Sequence, residues 1–458
     1  MKLKLLFASL VITSISNAQT QIGQDIVDTN REIFGLALSE NGNVLAVSGT
    51  DYNYNPITQV FSNVSGNWTQ VGQDVELGRT LLSNDGSILA IFDLYQGAGL
   101  ARVYKNMNNN WVQTGQDILE PLVSDYKIAL SGDGSVLAIA PKIGPYPWNI
   151  YKNISGTWTV TGTITNVVGS SICLSEDGNT LAAISHPSNV ISIFKHVNNN
   201  WIQSTPINLN SNYTSNGFRM AMSSDGNTIA VSTGNTKPMN VSSVNVFRYT
   251  NNTWAQMGNS IISSKGALGE SYGYGEVVIA GSGNVVALGA WNGQTWASGV
   301  DIFEYLQGNW VKQGEIIDTT ITNFIHEVIA ISRDGSSLAL RKNEVLSPKT
   351  ASSVNANNHQ GKAPSGGVRV YDISGILSSD TFVLENFKVY PNPTTDILNI
   401  ELENSLVLEK VFIYNTNGQL IKENFAEKII NVSGFAKGIY YVQVVTNQGK
   451  ATKKVVVK

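Results

Sequence analysis

Four histidines, one cysteine and a set of repeated Asp-Gly turns are the residues of this chain best suited to catalysis or metal binding. His186, His196, His326 and His359 are scattered with no i, i+4 pairing, so they do not read as zinc ligands. Cys173 is alone, which excludes an internal disulfide and a Cys-based metal site. It occupies a position held elsewhere by Ala37, Ala129, Ala221 and Ala330, so it reads as a small buried hydrophobe. Apolar burial raises a thiol's pKa and makes it a poor nucleophile. The turns offer at most one Asp beside glycine, as in Gly132-Asp133-Gly134, against the roughly six to eight oxygens that calcium takes. Glu270 and Glu276 are the type of carboxylate pair that glycoside hydrolysis needs, but spacing in sequence does not fix their separation in space. The glycine-rich stretches 266–269 and 273–275 precede no helix and read as loops. No catalytic, cofactor-binding or metal-binding residue is expected, and a non-enzymatic role is the first expectation.

Aromatic side chains are the remaining candidates. Tyr126, Tyr213, Tyr272, Tyr274, Trp291 and Trp296 lie in or beside the longer connections of the chain. Rings on a surface with few charges suit a glycan or a protein partner, and these six form the expected ligand face.

The elements that must position them repeat. An apolar-small-apolar-Ser-x-Asp-Gly-x-x-Leu-Ala phrase recurs with turn glycines at 42, 86, 134, 178, 226, 283 and 335, at spacings of 44, 48, 44, 48, 57 and 52. A looser phrase between them, an aromatic strand, an Asn/Gly/Ser/Thr turn and then Trp-x-Gln-x-Gly or a variant of it, carries Trp68, Trp111, Trp158, Trp201, Trp254 and Trp310. Periods of about 40–50 residues with four strands each are the mark of a β-propeller blade. The Asp-Gly step supplies the positive φ of a tight hairpin. The seventh copy stops at Val368-Arg369-Val370-Tyr371 without a tryptophan phrase. The segment Gln19-Thr20-Gln21-Ile22-Gly23-Gln24-Asp25 matches the missing strand. The expectation is an all-β chain whose residues 19–378 form a seven-bladed β-propeller, with the N-terminal strand closing the last blade and leaving no open edge.

Lys2 and Lys4, the apolar run 5–15 and the small residues before Gln19 have the layout of a secretory signal peptide over 1–18, cleaved between Ala18 and Gln19. Eleven apolar residues fall short of the about 20 needed to span a bilayer, and no transmembrane segment is expected in the mature chain. The net charge is −4 with 14% charged residues, against about 25% in a typical chain. So neutral a composition argues against nucleic acid as a partner.

Residues 385–458 break the repeat and reverse the charge balance, with nine Lys against seven Asp or Glu. Alternation in Ile397–Glu403, an Asn417-Gly418 turn, and the segments 438–444 and 453–458 predict a small antiparallel Ig-like β-sandwich, preceded by a linker at 379–384. Tyr390-Pro391-Asn392-Pro393, then Gly418-Gln419-Leu420, then Gly438-Ile439-Tyr440-Tyr441-Val442, and a basic-apolar end with Lys453 and Lys454 follow in order. This order resembles the type A C-terminal sorting domain of type IX secretion substrates of Bacteroidetes. The resemblance implies the type IX secretion machinery as a partner, and release or attachment at the outer-membrane surface. The repeats before it resemble those of large secreted propeller proteins in the same bacteria. Two functions fit: a secreted or surface propeller that binds a glycan or protein, or a secreted glycoside hydrolase-like enzyme with its site at the propeller mouth.

Overall fold

The computed structural model describes residues 20–28, 32–50, 55–76, 78–95, 98–121, 126–141, 146–165, 167, 169–185, 189–209, 213–235, 242–262, 276–291, 298–306, 308–316, 328–343, 366–374, 386–402, 406–415, 420–446 and 449–458. The cleavage position Ala18–Gln19, the linker 379–384 and the Asn417-Gly418 turn lie outside them.

Within these residues the chain is all-β and built from small antiparallel sheets. Seven of them occupy residues 20–373. The first contains Glu32–Leu38, Val44–Thr50, Pro56–Val64 and Asn67–Gln70, in that order across the sheet. The next five repeat this four-strand meander. In the seventh, Ile329–Ile331, Ser337–Asn343 and Gly366–Asp372 are joined by Thr20–Gln21 and Ile26–Asp28 from the other end of the chain. Thr20 pairs with Asp372, Gln21 with Tyr371 and Ile26 with Val368. The second strand of each sheet is buried on both faces, as in Val136–Pro141, which explains its unbroken apolar sequence.

The Ser-x-Asp-Gly phrase folds as a self-contained turn. Ser83 Oγ donates to Asp85 at 2.6 Å, and the Ile88 N–H donates back to Ser83 Oγ at 2.9 Å. The same pair of contacts recurs at Ser131, Ser175, Ser223 and Ser332. Desolvation pushes the Asp85 carboxyl up, but hydrogen bonds from Ser83 and Ser87 outweigh it and hold it below its ordinary value. All seven turn glycines have positive φ, including Gly283 in the degenerate copy. In the five turns that carry an Asp, its carboxylate is thus engaged by its own loop.

These turns also join the sheets. Backbone N–H groups of Glu40, Asn84, Gly132, Glu176, Ser224 and Gly281 donate to the carbonyls of Asn84, Gly132, Glu176, Ser224, Gly281 and Arg333 in turn. The Asp334 N–H then donates to the Glu40 carbonyl at 3.0 Å, which returns the path to its start. The seven sheets form a closed cycle. Since buried backbone groups must be paired, such a cycle also satisfies donors that would otherwise face a crowded axis.

A second set of contacts lies nearer the rim. Trp111 donates its indole N–H to the Val71 carbonyl at 2.9 Å, while Gln73 brackets the Trp111 backbone through both ends of its amide. Trp68 is held the same way by Ile22 and Gln24, and Trp158 by Thr114 and Gln116. Trp310 donates to the Met257 carbonyl at 2.9 Å. The indole N–H groups of Trp201 and Trp254 are buried without a partner among the described residues. Trp68, Trp111 and Trp158 are thus locked by a Gly-Gln-Asp segment of the neighbouring sheet that precedes each in the cycle, while Trp310 keeps its indole donation although the corresponding segment reads Gly258-Asn259-Ser260.

Residues 386–458 hold two further sheets. Phe387–Tyr390, Ile397–Leu402 and Ile429–Asn431 form one; Leu420–Phe425, Leu408–Asn415, Gly438–Thr446 and Gly449–Val457 form the other. Their shared core includes Phe387, Leu398, Val411, Ile430, Val442 and Val455.

Candidate functional site

The first strands of all seven sheets line one cavity of about 290 Å³. Leu36, Leu81, Ile128, Ile172 and Met220 are among the lining residues, together with the polar Asn84, Glu276 and Arg333. Cys173 belongs to this wall, paired with Ala182 as Ala129 pairs with Ala138. The small-residue slot read from the sequence is therefore where Cys173 lies, half-buried at the edge of the cavity. Desolvation pushes its thiol up to about 12 against the opposing pull of Arg333, so it is protonated near neutral pH.

The two ends of the cavity differ in chemistry. At the turn end Arg333 reaches from the seventh sheet to the fourth and fifth: its Nε lies 3.6 Å from Glu176 Oε1, and Nη1 donates to the Met222 carbonyl at 3.2 Å. Ser224 Oγ donates to the same Glu176 oxygen at 2.6 Å. Burial lowers the Arg333 pKa while Glu176 works against that shift. Arg333, Glu176 and Ser224 all occupy the variable second position of the Ser-x-Asp-Gly phrase. Only the closed cycle brings these three positions together, because they are 48 to 157 residues apart in sequence. At the far end of the first strands Glu276 lines the cavity and pairs with Arg219 at 3.2 Å.

The expected aromatic ligand face is in part corrected. Tyr126 is 1% exposed, its ring lies 5.0 Å from that of Phe92, and its hydroxyl donates to the Pro121 carbonyl. It is a core residue of the second and third sheets because the strand it opens packs inward from its first residue. Tyr213 opens the first strand of the fifth sheet and Trp291 ends the second strand of the sixth. Tyr272, Tyr274 and Trp296 lie outside the described residues, as does Glu270.

Beside Tyr126 is a buried acid that sequence reading missed. Glu120 is 3% exposed, accepts from the Tyr151 hydroxyl at 2.7 Å and from Asn149 Nδ2 at 3.1 Å. Desolvation raises its pKa, with these two hydrogen bonds acting in the opposite direction. Its only sequence signal was a lone Glu ending an apolar run.

In the C-terminal domain the motif residues act on one another. Asn392 Nδ2 donates to the Lys454 carbonyl at 2.8 Å, and the Val456 N–H donates to Asn392 Oδ1 at 3.0 Å. Two residues on, the Thr394 N–H donates to the Val456 carbonyl and the Lys458 N–H to the Thr394 carbonyl, both at 2.9 Å. Pro391 and Pro393 flank Asn392, and both peptide bonds preceding them are cis. Tyr390 is exposed at the end of its strand. Gly438 begins the strand that pairs with Gly449–Val457, and the Tyr440 hydroxyl donates to the Ala436 carbonyl at 2.9 Å. Lys453 donates to the Phe387 carbonyl and lies 5.1 Å above the Phe387 ring, so this cation ties the first strand of the domain to the last. Burial lowers its pKa, with Lys388 adding to the shift. Lys454, next in sequence, points to solvent.

The secretion system C-terminal sorting domain family matches residues 388–458. An ulvan lyase of Nonlabens ulvanivorans is 37% identical over 81 residues, which are 17% of this chain and 15% of that protein. The chain thus spans about one seventh of the length of this curated relative. Hydrazine synthase of Kuenenia stuttgartiensis aligns with a TM-score of 0.48 and 14% identity over 69% of this chain and 94% of that one. The C-terminal region is similar to the type IX sorting domain, and it directs export to the cell surface or the extracellular space. Among the described residues no helix is long and apolar enough to cross a membrane.

Proposed function

We propose that residues 19–378 form a seven-bladed β-propeller that binds a glycan or protein ligand outside the cell, and that residues 385–458 deliver it there through the type IX pathway. The observation that carries the propeller reading is the closed cycle of backbone hydrogen bonds through the seven turns, from Glu40 round to Asp334 and back. A closed ring leaves its loops and its central cavity as the surfaces on which a ligand can be held. The sorting-domain match supports the extracellular setting. Removal of 1–18 as a signal peptide would precede it.

A secreted hydrolase is the second reading. It draws on the acid and arginine that meet where the cavity is farthest from the turns, Glu276 and Arg219. One experiment separates the two: the exported full chain is applied to a glycan array and to a panel of polysaccharides with product detection. Binding without product supports the first reading. Product release that Glu276→Gln abolishes supports the second.

A further inference from the structure

The four-stranded sheet of the C-terminal domain has one face in the core and, among the described residues, one with no element packed on it. Cross-strand neighbours share a face, and the register runs Leu420 to Tyr414, Tyr414 to Tyr441 and Tyr441 to Lys454. This row crosses all four strands on the side opposite Ile413, Tyr440, Val442 and Val455. Leu420 is 50% exposed and Tyr441 40%. Phe412 lies on the same face, its ring 6.3 Å from that of Tyr414. An apolar and aromatic row of this kind, ending in an exposed cation, is the composition of a protein-recognition surface.

Two other features narrow how the domain can be held. Strand addition along the outer edge at 454–458 is blocked, because Asn392 and Thr394 already occupy the backbone groups of Lys454, Val456 and Lys458. The exposed side of the three-stranded sheet carries Tyr390 and Ile429 with Asn399 between them and a Lys388–Glu401 pair beside them, so its apolar residues form no unbroken row across the strands. Lys453 is engaged by Phe387, which leaves Lys454 as the member of the basic pair that faces solvent.

We propose that the Leu420–Tyr414–Tyr441–Lys454 face is where the secretion machinery grips the domain, through a protein surface bearing an apolar strip bordered by carboxylates. Asn392 serves this face indirectly, by fixing the strand that presents Lys454. The proposal rests on the sorting reading of residues 388–458. Full-chain Lys454→Glu, Lys454→Arg and Tyr441→Ser variants are expressed in the producing bacterium beside a deletion of 385–458, and protein outside the cell is compared with protein in the envelope. Lys454→Glu and Tyr441→Ser should each lower the exported fraction at least tenfold with an unchanged melting temperature, and Lys454→Arg should export normally. Ile429→Ser, on the other sheet, should export normally as well. Should Tyr441→Ser melt early, Lys454→Glu decides alone, because its side chain is solvent-facing. Normal export of a folded Lys454→Glu chain while the deletion is trapped overturns the face. Export of the deletion itself overturns the sorting reading instead.

Discussion

Asp25 and Arg369 lie 344 residues apart in sequence and form a bidentate ion pair, with Nε–Oδ1 at 2.6 Å and Nη2–Oδ2 at 2.7 Å. The pair is a repeat feature put to a new use. In the second sheet Arg102 and Asp117 occupy the equivalent positions at 2.8 and 2.9 Å. In the sixth sheet the polarity is reversed, Asp301 on the third strand meeting Lys312 on the fourth at 2.8 Å. Only the first of these pairs joins the two ends of the ring.

Asp25→Ala should therefore destabilise the ring more than Asp117→Ala. The Asp25 and Arg369 side chains are 17% and 20% exposed, against 38% and 28% for Asp117 and Arg102. Breaking the closing pair should cost about 2 kcal/mol and breaking the internal one about 0.5–1 kcal/mol. Urea denaturation of the two variants measures the difference; equal losses would mean that the closing pair does not strengthen the junction.

The indole locks predict a contrast within one residue type. Trp111→Phe removes the donation to Val71 and leaves a part-buried carbonyl under-satisfied, at a cost of about 1–2 kcal/mol. Trp201→Phe removes an N–H that has no partner among the described residues, so stability should hold or rise slightly. Denaturant midpoints decide it, and a larger loss at Trp201 would contradict the locking role.

Gly23 and Gly66 test close approach against backbone strain. Both have positive φ, +71° and +85°. A Cβ on Gly66 meets nothing within 4 Å, whereas one on Gly23 would lie 2.5 Å from the Gly66 carbonyl oxygen. Gly66→Ala should cost about 1 kcal/mol from φ alone. Gly23→Ala should cost at least about 2 kcal/mol more, because the seventh and first sheets must part to admit the methyl group. Thermal melting of the two variants gives the comparison.

Glu120 gives the ring a pH dependence of definite sign. Its pKa in the fold is raised above the ordinary 4.5, so the folded state prefers the protonated acid. Its stabilisation is complete below pH 4.5 and is lost as pH rises through the folded pKa. Glu120→Gln keeps an acceptor for Tyr151 and Asn149 without the charge. The variant should lose this slope and be about 1 kcal/mol more stable than the parent at pH 7. Urea midpoints across pH 4–8 read it directly; a parent that is the more stable at pH 7 would show that Glu120 is held as a carboxylate.

Much of the architecture was legible because it repeats. The turn glycines, the alanine slot of Cys173 and the pairing of residues 20–22 with 370–372 follow from phrases read seven times over. Arg333 was not legible, since its partners Glu176 and Met222 come from sheets far away in sequence and meet it only in the closed cycle. Tyr126 misled for a related reason: a tyrosine beside a long connection looks exposed until the register places it against Phe92. In the C-terminal domain the motif order indicated export, but the action of Asn392 on Lys454 and Val456 depends on a loop folding back along the last strand, 62 and 64 residues away.

The central claim is that a ring complete in itself is carried out of the cell by residues 385–458. Expression of the chain lacking these residues, followed by fractionation and limited proteolysis, tests it most directly. The account predicts a protease-resistant ring retained in the cell envelope and absent from the medium and the cell surface. Truncated protein recovered outside the cell in wild-type amounts would contradict it.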